Sequence, residues 1–375
     1  MSKTKTEAPE AQEDFSLKKA LKKIKKPALT IIFILINVAV IAITAMSEFG
    51  NSENAAALAE VRINWWFLIP AVACFAVALT LEIHKYILMM REAAKINVKK
   101  EQRKKVWRVA RRTVLLGKYY DNITPAAIGG QPFQIWYMHK NGGVGKGMAT
   151  TIPIIGMISN QIGFIIVAVF AFLFGSLSIN NAVLMATACF GLIFYAFWPI
   201  AIMIATFLPG TTAELINLII KGLAKIHIVK DKDAAIKRVS DGVNEYAKCV
   251  KQILKTRGLF LREILLSVCF HLLISSIPFF VLTAFGGAVD FLPCLVTTIA
   301  VTSAVYFVPT PGNAGAAEGT FFVVFSALSS GYVFWAMLVW RFFSYYVYII
   351  MGAIIYLRMH FEKKKKNEIE EKKSD

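Results

Sequence analysis

The sequence predicts an all-α polytopic membrane protein. The expected architecture is six full transmembrane helices plus two re-entrant hairpins in an inverted repeat; eight transmembrane helices is the alternative. Three observations carry this reading. Hydrophobic residues make up 57% of the 375 residues and the mean hydropathy is +0.56, too apolar for a soluble domain. Apolar stretches of bilayer-spanning length alternate with short polar loops. Two further apolar stretches are broken by one shared element, Thr-Pro-x-x-x-Gly, which runs from Thr124 to Gly129 and again from Thr310 to Gly315.

Net charge is +18. No motif interleaves basic and aromatic residues, so nucleic acid is not an expected partner. The charge reads instead as a set of topology determinants and contacts to anionic inner-leaflet lipid. The five cysteines, Cys74, Cys189, Cys249, Cys269 and Cys294, form no CxxC pair. They imply neither a disulfide framework nor a zinc site, and no metal or cofactor is expected.

Residues 1–27 form a basic tail, in which six lysines from Lys18 to Lys26 surround Leu17, Leu21 and Ile24 at helical spacing. Either a surface helix on an anionic leaflet or a plain topology signal fits. Ala28 to Met46 is the first span. The loop that follows is acidic, with Trp65 and Trp66 at its membrane edge. Phe67 to about Lys85 is the second span, and Lys85 to Arg112 holds 11 Lys+Arg.

Val114 to His139 is interrupted by Lys118, Asp121, Asn122, Pro125, Gly129, Gly130 and Pro132. It returns to basic residues, so a hairpin entering and leaving on one side fits, with Asn141-Gly142-Gly143 as a turn. Thr150 to Phe174 and Ala182 to Leu208 are the third and fourth spans. Pro209 to Gly258 carries 10 Lys+Arg, and its apolar residues recur at helical intervals, giving two amphipathic helices on the cytoplasmic face. Leu259 to Ala284 is the fifth span. Phe291 to Leu328 is the second interrupted region, and Tyr332 to Leu357 the last span. Domain limits follow: a tail 1–27, one membrane domain 28–358 with repeats about 28–175 and 182–358, the loop 209–258, and a charged tail 359–375.

The positive-inside tally favours hairpins. With both interrupted regions re-entrant, the two termini are cytoplasmic, and of 42 Lys+Arg only Arg62 falls outside. If either region spanned once, every later loop would invert. Each half then reads span, span, hairpin, span, in opposite orientation. That is the layout of secondary transporters, whose interrupted segments meet near the midplane.

At each tip, proline stops one helix and the glycines allow a tight turn. The next helix would offer free N–H groups to a phosphate or phosphodiester. The expected substrate site therefore comprises Asn122, Thr124, Pro125, Gly129, Gly130 and Gln131 from the first region. From the second come Thr310, Pro311, Gly312, Asn313, Gly315 and Glu318, with Arg341 from the last span. Glu318 and Arg341 stand in apolar segments, where ionisable groups face the interior and pair. They form either a static pair or a contact to lipid phosphate. Gln134, Asn160 and Gln161 are further polar candidates. Glu82 and His84 read as interfacial, and His271 as a satisfied bundle histidine.

No catalytic constellation emerges: there is no Ser/His/Asp pattern, HExxH or P-loop. The glycines at 142, 143, 145 and 147 lie in a loop between membrane segments.

The stretches Asn122 to Pro132 and Pro309 to Glu318, with Arg341, resemble the lysylphosphatidylglycerol synthetase transmembrane family. That family supplies the flippase-like membrane domain of the multiple peptide resistance factor, and the similarity covers roughly residues 28–358. It implies a plasma-membrane protein that moves lipid between leaflets. Its lipid would be lysyl-phosphatidylglycerol or another anionic or aminoacylated phospholipid, with a polyprenyl-phosphate as a further option. In fused members a separate soluble domain transfers lysine to phosphatidylglycerol, which underlies cationic peptide resistance. The alternative function is that phosphatidylglycerol lysyltransferase activity itself, or partnership with a separate lysyltransferase or glycan enzyme; for this chain alone the translocator is the favoured expectation over the enzyme. An ion-coupled carrier of a small anion shares the expected fold.

Overall fold

The computed structural model describes Met46 and residues 63–93, 100–127, 129–175, 181–225, 232–256, 258–328 and 333–371. The basic tail, the first expected span up to residue 45 and most of the acidic loop lie outside these residues.

Regular structure among the described residues is entirely helical. Among the described residues five helices are long and apolar enough to cross a membrane: Trp65–Glu92, Lys146–Gly175, Ala182–Ile204, Leu259–Ala284 and Val333–Glu362. They coincide with the second to sixth expected spans. In chain order the elements are α1 (Trp65–Leu88), α2 (Lys100–Ile123), α3 (Gly130–Gly142), α4 (Lys146–Gly175), α5 (Ala182–Phe207) and α6 (Pro209–Lys225). Then come α7 (Lys232–Lys255), α8 (Leu259–Ala284), α9 (Phe291–Val305), α10 (Ala316–Ser326), α11 (Val333–Arg341) and α12 (Val347–Glu371). A π-helical turn, Phe342–Tyr346, joins α11 to α12, and 3-10 turns at Pro125–Ala127 and Pro311–Asn313 lie inside the interrupted regions.

The centre of the fold is the α1–α8 pair, the most extensive helix contact. The two helices run antiparallel. At one end Asn64 N donates to Ala284 O at 2.9 Å. At the other, Arg262 and Glu92 form a bidentate ion pair. Helix α4 packs against α8, where Gly163 lies so close to Ser267 that a Cβ would collide. Gly191 of α5 likewise meets the backbone of Ser303 on α9. Small residues allow such close approach where helices associate without a hydrophobic drive. One apolar core joins α1, α8, α9, α10, α11 and α12, and another joins α1, α2, α3, α4 and α7.

Helix α2 departs from expectation. A basic loop was expected to Arg112, with a new segment from Val114; one helix runs through both. No proline stands between Lys100 and Ile123. Val106, Val109, Ala110 and Val114 are buried while Lys104, Lys105 and Arg108 are exposed, so the stretch is amphipathic rather than unstructured. Similarly, α12 continues past Leu357. Glu362 accepts two bonds from Arg112, at 2.7 and 3.1 Å, which tie that extension to α2. The loop 209–258 holds the two expected amphipathic helices. Tyr246 and Val250 of α7 pack inward, whereas Leu215, Leu218 and Ile219 of α6 are exposed.

Candidate functional site

Each interrupted region folds as helix, turn, helix, and the two helices of each region pack against one another. In the first, Thr124 ends α2 ahead of Pro125. Its hydroxyl donates back to Tyr120 O at 2.7 Å and accepts from Gly129 N at 2.9 Å, which closes the turn. Asp121, one turn upstream, accepts from Gly130 N at 2.9 Å, so the opening N–H of α3 carries a carboxylate. Ala127 holds a positive φ of 52°.

In the second region Thr310 donates to Ala314 O at 3.0 Å. Gly312 (φ 58°) and Asn313 (φ 53°) take left-handed backbone, costly for most L-residues. A Cβ on Gly312 would also strike the Tyr345 ring. Glu318 reaches back from α10 and accepts from Gly315 N at 2.7 Å, as in a capping box.

Arg341 locks this turn. Its Nε donates to Glu318 Oε1 at 2.5 Å, and a terminal nitrogen donates to Gly312 O at 2.7 Å. Arg341 is 5% exposed and Glu318 2%. The guanidinium also lies over the Tyr345 ring, 4.6 Å from its centre, a cation–π geometry. Tyr345 sits in the π-helical turn that follows, and its hydroxyl donates to Asn122 O at 3.3 Å. The two 3-10 turns themselves touch. Thr124 and Thr310 therefore belong to one joint, bridged by Arg341 and Tyr345.

All the expected site residues lie in this joint or at its edge. Asn122 contributes its carbonyl, while its side-chain nitrogen is buried with no partner among the described residues. Pro125 and Pro311 open the 3-10 turns. Gln131, at the second position of α3, is half-buried. One expectation needs revision: the helix N-termini were to offer free N–H groups to a ligand, yet Asp121 and Glu318 already occupy the first of them. The chain neutralises these positions itself.

Among the weaker candidates, Gln134 is buried and accepts from Tyr86 at 3.0 Å. His271 is held by Asn160 O at 3.1 Å, as a satisfied bundle histidine. Gln161 is buried and its carbonyl oxygen has no partner among the described residues. His84 is exposed, but Glu82 is buried rather than interfacial, because Lys85 pairs with it at 3.1 Å. Sequence reasoning missed Asp121, Lys85, Tyr345 and Glu263 as structural charges or bridges. For Glu263 a signal existed: Glu263, Ser267 and His271 recur every four residues on one face of an apolar helix.

Five long apolar helices among the described residues define a multi-pass α-helical membrane protein, with an arginine–glutamate pair buried inside it. The chain belongs to the lysylphosphatidylglycerol synthase TM region family, which matches residues 28–352. No characterised protein and no solved structure gives a match.

Proposed function

We propose that this protein moves a phospholipid with an anionic or aminoacylated head group between the leaflets of the plasma membrane. Lysyl-phosphatidylglycerol is the lipid that the family's name suggests. One observation carries the reading: two broken helices meet at their turns, where the buried Arg341 clamps the second turn through a carboxylate and a carbonyl and stacks on Tyr345, which bonds the first. Irregular backbone at membrane depth is tolerated where protein buries it or where it lines a passage.

The packing supports two re-entrant hairpins in an inverted repeat. Helix α2 packs on α12 as α9 packs on α4, and α1 pairs with α8. These are the partners that an exchange of the two halves would interchange. On this topology both termini are cytoplasmic. A lipid phosphate entering between the turns competes with Gly312 O for Arg341, since guanidinium binds phosphate bidentately. Releasing Gly312 loosens the joint and lets the two hairpins part.

The experiment is leaflet exchange in vesicles containing the purified protein. Labelled lysyl-phosphatidylglycerol, phosphatidylglycerol and a polyprenyl phosphate are each compared with protein-free vesicles. Acceleration of at least one lipid is expected. If none exchanges faster, and a small anion does, the lipid reading is replaced by the anion carrier.

A further inference from the structure

A second set of buried charges lies where α1 packs against α8. Glu82 and Lys85, one turn apart on α1, pair at 3.1 Å; Lys85 is 0% and Glu82 5% exposed. Glu263 faces them from α8 and is itself 0% exposed. Neither of its carboxyl oxygens has a hydrogen-bond partner among the described residues. The neighbouring polar groups are committed elsewhere. Ser267 donates to the Glu263 backbone oxygen at 2.8 Å, and His271 Nε2 donates to Asn160 O on α4.

The charges around this carboxyl are few enough to count. Helix α1 brings Glu82 and Lys85 against it; one step further out, Lys118 of α2 and the carbonyl-bound His271 of α8 act on Glu82, and Asp121 of α2 acts on Tyr86. Arg262 and Glu92 cancel each other at the partly exposed rim. Tyr86, Tyr195 and Tyr348 lie within electrostatic reach of Glu82; as phenols they carry no charge at neutral pH. Helix α4 contributes uncharged Asn160 and Gln161, while Glu245 of α7 lies at Gly147, near the start of α4. Arg341 of α11 is bound to Glu318. Three carboxyls, Glu82, Asp121 and Glu263, thus stand along a chain of contacts that holds two lysines. Lys85 is bonded to Glu82, and Asp121 has the Gly130 N–H. Glu263 alone lacks a donor, and an unpaired carboxylate in such a place neutralises itself.

We propose that Glu263 is a proton-binding site, carrying a proton in this closed arrangement and releasing it when α1 and α8 separate. On release the Glu263 O–H bond breaks and the proton passes to water admitted past the Arg262–Glu92 rim. The carboxylate left behind shares Lys85 with Glu82. Reprotonation from water reverses the step. This deepens the lipid-translocator reading, on which its transport role rests, by supplying an ion that couples to movement.

The test uses the full chain in lipid vesicles. Infrared spectra taken across a pH titration report a protonated carboxyl through its C=O stretch, which shifts in heavy water. The expected result is a band that is present in the wild type, lost in Glu263→Gln and displaced in Glu263→Asp. No such band in the wild type, or a band unchanged in Glu263→Gln, overturns the proton site. A second arm measures lipid exchange with and without an imposed pH gradient. Wild-type exchange should be biased by the gradient, and Glu263→Gln should exchange without bias. Exchange in both that ignores the gradient overturns the coupling. An absence of wild-type exchange overturns the translocator reading instead, and the band still decides the proton site.

Discussion

The two Thr-Pro turns share a motif and end in one joint, yet their carboxylates arrive from opposite directions. Asp121 comes from the helix before the first break and caps the helix after it. Glu318 comes from the helix after the second break, caps its own start and also takes Arg341. The motif therefore sets where the backbone breaks. The charge partner, supplied from outside the motif, sets how firmly each break is held. The second turn has a buried cation clamping both its carboxylate and its left-handed glycine; the first is half-buried and held by a hydroxyl and a lone carboxylate.

This difference yields a graded set of expectations. Replacing Arg341 or Glu318 by alanine leaves the other charge buried and unpaired, which should cost about 3–5 kcal/mol of stability. Denaturant titration in detergent measures it, and a loss under about 1 kcal/mol would mean the clamp does not hold the turn. Gly312→Ala comes next: the left-handed backbone alone should cost about 1–2 kcal/mol, and the Tyr345 ring must also move. Its thermal midpoint should fall well below that of an alanine at Gly319, which has open space around it. Asp121→Ala should cost about 1 kcal/mol, the ordinary value of a helix cap. If it matched Arg341→Ala, the two turns would be equally held and the comparison would fail. Tyr345→Phe removes one hydrogen bond between the last span and the first region and should cost about 0.5–1.5 kcal/mol. Its distinctive readout is hydrogen exchange at the end of α2, which should quicken while α4 is unaffected.

The second to sixth spans and the breaks were legible because each rests on a strong local signal: hydropathy over a span, and proline with glycine inside one. That the two breaks would approach each other was legible from the repeated Thr-Pro-x-x-x-Gly and the alternation of basic loops. Helix α2 was harder to read, because its basic face resembles a loop until the buried stripe Val106, Val109, Ala110 and Val114 is set beside it. The occupied N-termini were not legible. Whether Asp121 reaches Gly130 depends on how the chain turns across nine positions, which spacing does not specify. Lys85 looked like the polar end of a span; its burial follows from Glu82 and the packing of α8, neither visible in a hydropathy window.

The claim that the Arg341–Glu318 joint gates lipid movement is tested most directly by removing both charges together. A Glu318→Gln, Arg341→Met double variant leaves no buried ion unpaired and should keep most of its stability. It also deletes the guanidinium that lipid phosphate would engage. Leaflet exchange of labelled lysyl-phosphatidylglycerol is then compared between this folded variant, the wild type and protein-free vesicles. The expected result is fast exchange in the wild type alone. Exchange in the double variant at the wild-type rate would contradict the assignment.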